Sequence, residues 1–153
     1  LDRWARASAM LEAAEQLSLE REPNEALFEM LVRALRTLST NESPLVVAGF
    51  FLKLLALEGF EPVVEVCVSC GSDGPLVAFD VGEGGTVCND CRRGTALEPG
   101  AVELLQWILG GRLGAALAVP PSRATHAVDV LATRLLEHQL ERRLRSISVL
   151  EQH

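Results

Sequence analysis

Cys67-Val68-Ser69-Cys70 and Cys88-Asn89-Asp90-Cys91 contain all four cysteines of a 153-residue chain. Seventeen residues, Gly71 to Val87, separate the two pairs. Two residues between cysteines let one tight knuckle turn both sulfurs toward the same ion. A gap of this length lets a hairpin bring the second knuckle to the opposite side. Four thiolates are soft donors that fill a tetrahedral Zn(II) sphere and leave no open position, so the spacing predicts one structural zinc ion per chain. The residues between the knuckles agree: Leu76–Asp80 reads as a short strand, Gly82–Gly85 as a turn, and Thr86-Val87 as a return strand. Gly71 and Gly94 each follow a knuckle, where a left-handed backbone is often required. The stretch 67–94 is therefore expected to be a zinc ribbon held by four cysteines. Other uses of four cysteines fit less well. Paired disulfides need an oxidising compartment, and no secretory pattern opens the chain. Redox dithiols place one C-x-x-C at a helix start, and ferredoxin clusters use tighter cysteine runs.

Working outward toward the N-terminus, residues 44–58 predict a helix that is apolar nearly all round, with Phe50, Phe51, Leu52, Leu54 and Leu55 in succession. Such a helix belongs at the centre of a bundle. Ser43 is its expected N-cap and Pro44 its first residue; Gly59 caps the other end and Pro62 prevents resumption. Its one interior charge, Lys53, is expected either to snorkel or to contact an anion at the edge of an apolar groove. A helix over about 24–38 shows Leu27, Met30, Leu31, Ala34, Leu35 and Leu38 at helical spacing, with Arg33 and Arg36 elsewhere on it. Before it, residues 2–18 predict a helix packed through Trp4, Ala7, Leu11 and Ala14, with Met10 and Leu17 at the edge of the stripe, and Glu20–Asn24 a break.

Toward the C-terminus, Arg92 and Arg93 sit directly on the second knuckle. Helices are expected over Pro99–Leu109, briefly at Leu113–Val119, and over 123–145 with Ser122 as N-cap. The last is expected to bury Val128, Leu131, Leu135, Leu136, Leu140 and Leu144. Its end, Glu141-Arg142-Arg143-Leu144-Arg145, is a basic cluster in an acidic chain. His126 and His138 stand alone on it, without metal-ligand company. The fold class is thus mainly α, a helical bundle with an inserted zinc ribbon. It divides into a helical region 1–66, the ribbon 67–94, and C-terminal helices 95–153 packed back on the first region as one structural domain.

Hydrophobic residues make up 48% of the chain, enough for a sizeable core, and the net charge of −7 excludes a strongly basic nucleic-acid surface overall. Thirteen of the fourteen basic residues are arginine. The longest apolar stretch is too short to span a bilayer, which makes a cytoplasmic protein the expectation. There is no G-x-S-x-G, phosphate loop or H-E-x-x-H, and Gly82–Gly85 lies inside the hairpin rather than ahead of a helix. Nothing assembles into nucleophile, base and orienter, so a binding or scaffold protein is expected rather than an enzyme. The first residue is Leu1 rather than Met, as in a piece of a longer protein.

The run Phe50-Phe51-Leu52-Lys53-Leu54-Leu55-Ala56-Leu57-Glu58-Gly59-Phe60-Glu61-Pro62 leads into Cys67-Val68-Ser69-Cys70-Gly71, then Phe79, Gly84-Gly85 and Cys88-Asn89-Asp90-Cys91. In this order the sequence resembles the RecO family of bacterial recombination mediators. The ending Leu144-Arg145-Ser146-Ile147-Ser148-Val149-Leu150 is similar too. The resemblance covers the whole chain but only part of the family protein, whose N-terminal oligonucleotide-binding barrel would precede Leu1. It implies binding of single- and double-stranded DNA, strand annealing, and action with RecR to load RecA on DNA coated by single-stranded DNA-binding protein. It also implies a nucleoid-associated location and Cys67, Cys70, Cys88 and Cys91 as zinc ligands. The family's recognition of the coating protein's acidic, apolar-ended tail would require a hydrophobic groove with a basic rim, for which Arg33, Arg36 and Lys53 are candidates. Arg92, Arg93, Arg123, Arg142, Arg143 and Arg145 are candidates for a DNA-binding patch. The alternative is a zinc-stabilised adaptor that binds only protein.

Overall fold

The computed structural model describes residues 2–17 and 24–151. In order, the chain forms α1 (Arg3–Leu17), α2 (Glu25–Thr40), α3 (Leu45–Leu57), β1 (Leu76–Asp80), β2 (Gly85–Cys88), β3 (Thr95–Ala96), α4 (Ala101–Leu109), α5 (Leu113–Leu117) and α6 (Arg123–Glu151). A helix without a polar face must be covered on several sides, and α3 is: α1, α2, α4, α5 and α6 all pack against it. Its ends follow from local chemistry. Pro44 is already helical, and the Ser43 Oγ accepts from the Leu45 N–H at 3.1 Å. At the other end Gly59 has φ 91° and the Phe60 N–H donates to the Leu55 carbonyl at 2.7 Å, the six-to-one bond of a left-handed cap. At the start of α6, Ser122 and Thr125 cap reciprocally. The Thr125 N–H donates to Ser122 Oγ at 3.3 Å, and the Ser122 N–H donates to Thr125 Oγ1 at 2.8 Å.

The ribbon contains the expected hairpin and one strand more. Its sheet order is β2-β1-β3, with both neighbours antiparallel to β1. Successive residues of a strand point to opposite faces. Phe79, fully buried, enters the helical core, while Ala78 closes a separate small core with Val87, Cys67 and Cys88. Two further contacts fasten the ribbon. The Gln106 side chain donates to the Val64 carbonyl at 2.9 Å. The buried Thr86 hydroxyl is shared between the carbonyls of Val66 (3.0 Å) and Val63 (3.2 Å). Gly94 has φ 77°, and a Cβ there would overlap the Phe79 carbonyl, so only glycine lets the chain pass from the second knuckle into β3.

Two expectations about faces are corrected. α1 buries Ala14 as expected, but its buried face is centred on Met10, Ala13 and Leu17, two of them expected only at the edge, whereas Trp4 is 81% exposed and Leu11 48%. The helix is so rich in alanine that a stripe through the two large residues reads as well as the true one. α6 runs on to Glu151 instead of ending near 145, and Leu144 on it is exposed rather than buried. Of the expected break at 20–24, residues 20–23 lie outside the described residues. Among the described residues no helix is long and apolar enough to cross a membrane.

Candidate metal centre and binding grooves

One ligand atom from each of Cys67, Cys70, Cys88 and Cys91 lies within 4.8 Å of the others. The knuckles are held by their own backbone. Gly71 N–H donates to the Cys67 carbonyl at 2.9 Å and Cys67 N–H to the Ser72 carbonyl at 2.7 Å, while Cys91 N–H donates to the Cys88 carbonyl at 3.2 Å. Cys67 and Cys88 are buried, Cys91 is half-buried and Cys70 is exposed. The Cys70 and Cys88 sulfurs approach to 3.7 Å.

The electrostatics of the cluster test whether it suits an ion. Backbone N–H groups, that of Cys88 foremost, hold the Cys67 thiol down at about 6. The sulfurs of Cys70, Cys88 and Cys67 push Cys91 up to about 12. At Cys70 the Ser72 backbone N–H pulls downward, but the sulfurs of Cys88 and Cys67 outweigh it and the net shift is upward. One thiolate forms readily here, at Cys67, and those at Cys70 and Cys91 are opposed by the neighbouring sulfurs. A cation in their midst removes that opposition. The residues therefore fit a metal ion, and four thiolates leave it no vacant coordination position.

The six arginines expected at a DNA-binding patch do not gather in one place. Arg93 pairs with Asp80 and donates also to the Cys91 carbonyl at 3.4 Å. This guanidinium holds the Asp80 carboxyl below the usual carboxylate range. Arg92 and Arg123 are exposed on either side of residues 96–98, and Asp73, Glu98 and Glu103 share the depression with Arg92. Arg142 and Arg145 are exposed near the far end of α6, about 28 Å from Arg123 or more at 1.5 Å per helical residue. Arg143 is half-buried and donates to the Gln16 carbonyl at 3.0 Å. Arg134, not singled out in the sequence, is exposed between the two groups and donates to Thr95 Oγ1 at 3.4 Å. Its only sequence signal was a place on the outer face of α6.

Two grooves flank α3. On the α2 and α5 side, Arg33 and Lys53 line a cavity of about 470 Å³ with Met30, Val46, Phe50 and Leu113. Arg33 also meets Glu29 at 3.9 Å. Arg36 is exposed and does not line this cavity. On the α1 and α6 side, Phe51 and Val47 face a second cavity of about 600 Å³. The adjacent rings of Phe50 and Phe51 are 6.5 Å apart.

A family model described as "Recombination protein O C terminal" matches residues 1–147. The chain belongs to that family. A "DNA repair protein RecO" from Frankia casuarinae is 41% identical over 154 aligned positions, covering 97% of this chain and 63% of its own length. A "DNA repair protein RecO" from Streptomyces coelicolor is 40% identical over 154 positions, covering 97% of this chain and 62% of its own. The chain thus spans less than two thirds of these relatives.

Proposed function

We propose that the chain is the partner-docking part of a RecO-type recombination mediator without catalytic chemistry of its own. In this reading the whole protein binds single- and double-stranded DNA, anneals strands, and acts with RecR to load RecA on DNA coated by single-stranded DNA-binding protein. It works in the cytoplasm at the nucleoid. The observation behind the docking role is the apolar groove rimmed by Arg33 and Lys53, whose Phe50, Val46 and Met30 suit the apolar end of an acidic tail. Structural Zn(II) at Cys67, Cys70, Cys88 and Cys91 closes the ribbon, and the thiol cluster supports it. The division into 1–66, 67–94 and 95–153 within one domain is supported by Phe79, which ties the ribbon to the helical core. The experiment is fluorescence anisotropy with an acidic, apolar-ended tail peptide. Arg33→Ala and Lys53→Ala each weaken binding severalfold, and Arg36→Ala leaves it unchanged. Equal affinity in all three removes the docking reading.

For this part of the protein the adaptor reading has its own support. Arg93 is paired, Arg143 is half-buried, and the exposed pair at Arg142 and Arg145 is far from Arg92 and Arg123. Phosphate contacts from these arginines are then few, and most DNA affinity belongs to the rest of the longer protein.

A further inference from the structure

The cavity on the α1 and α6 side of α3 has the opposite electrostatic character from the groove at Arg33. Its floor is Ala9, Ala13, Val47, Phe51, Leu136 and Leu140. Among the described residues its rim holds three carboxylates, Glu12, Asp129 and Glu137, against one guanidinium, Arg6. Arg6 donates to the Glu42 carbonyl at 3.4 Å. Asp129 is half-buried and, among the described residues, has no ion-pair partner within 4.0 Å. Burial pushes its carboxyl up, against the weaker pull of His126 and Arg6. An ionised carboxylate partly removed from water above an apolar floor is costly unless a cation joins it.

The shape narrows the occupant. The lining runs along α1 from Ala5 to Gln16 and along α6 from Asp129 to Leu140, so this is a trough and not a round hole. Asp129 and Glu137 are eight residues apart on one helix, about 12 Å along its axis. A second helix laid in the trough presents side chains at the same interval seven or eight residues apart. A bare polyamine carries the charges but has no branches for a floor of alanine, valine, leucine and phenylalanine.

We propose that this trough docks a basic amphipathic helix of a partner protein, with two cationic side chains seven or eight residues apart meeting Asp129 and Glu137 around an apolar stripe. This goes beyond the proposed function and depends neither on the Arg33 groove nor on zinc. The probe is a fluorescein-labelled synthetic helix with a leucine stripe between two lysines eight residues apart, titrated against the whole chain. It binds the native protein, and Asp129→Asn and Glu137→Gln each weaken it about tenfold, the scale of a desolvated interfacial charge pair. Ala9→Trp, which fills the trough, abolishes binding. Glu103→Gln, which removes the same charge from a different surface, leaves affinity unchanged. A control helix with both lysines replaced by glutamate does not bind the native protein. Native-like helix content in each variant excludes misfolding, and Glu137→Gln stands in should Asp129→Asn fail to fold. The proposal is overturned if the lysine peptide fails to bind the native protein, or if Glu103→Gln costs as much as Asp129→Asn. It is overturned also if spermidine alone shows the same dependence on Asp129 and Glu137, or if Ala9→Trp instead abolishes a concentration-dependent self-association.

Discussion

Arg93 illustrates how a side chain at the surface can also be engaged within the fold. It looks like a phosphate-binding cation beside the second knuckle, but its guanidinium joins Asp80 on β1 and reaches the Cys91 carbonyl. It therefore clasps the knuckle to the hairpin. The Asp80 carboxyl is held below its ordinary value, chiefly by the Arg93 hydrogen bond and then by the Glu83 backbone N–H. A group depressed in the folded state adds stability above its unfolded pKa and loses it as pH falls through the folded one. Asp80→Asn is therefore expected to lower Tm by a few degrees at neutral pH. The gap between variant and native protein should narrow below about pH 4, the ordinary aspartate value. Calorimetry on both across that range checks it; a gap that is constant with pH contradicts the clasp. None of this was legible in advance, because Asp80 and Arg93 are thirteen residues apart on elements whose pairing depends on the sheet.

At the scale of elements, the ribbon has two independent supports, its thiol cluster and its anchor in the helical core. The first predicts that Cys88→Ser loses metal and unfolds a ribbon whose zinc would contribute on the order of 10 kcal/mol. The second predicts that Phe79→Ala keeps the metal but costs about 3–5 kcal/mol, as large buried aromatics do. Zinc stoichiometry and denaturant unfolding on the two variants separate the supports; loss of metal in Phe79→Ala would merge them. The cysteine spacing was readable because four identical residues at fixed intervals admit few meanings. The hairpin was readable because the glycine-rich turn at 82–85 punctuates it. Phe79 could be read only as a strand residue, since which face meets the helices is a matter of docking. β3 has two residues, too few for any period to register. The bundle was visible in α3, whose apolar run has one place to go. The face of α1 was not, because alanines blur its stripe.

Taken whole, the chain is acidic, and of the six arginines expected at a DNA-binding patch the four that are exposed and, among the described residues, without an ion-pair partner fall into two groups, with Arg134 exposed between them. Arg92 and Arg123 flank residues 96–98, and Arg142 and Arg145 lie far along α6. Each phosphate neutralised contributes about 0.9 to the slope of log affinity against log salt. With only one of the two groups engaged at a time, the chain by itself is expected to show a slope near −2 on duplex DNA, where six engaged arginines would give about −5. Filter binding or anisotropy across a salt series measures this directly, and the steeper slope would mean the arginines act together. The grooves are arranged differently. One helix, α3, is the common wall between them, with Phe50 turned into the cationic side and Phe51 into the anionic side, ring beside ring. A close-packed wall one helix thick does not yield on one side without moving on the other. Two guests of opposite charge would then sense each other through two neighbouring rings, and whichever arrived first would set the terms for the second.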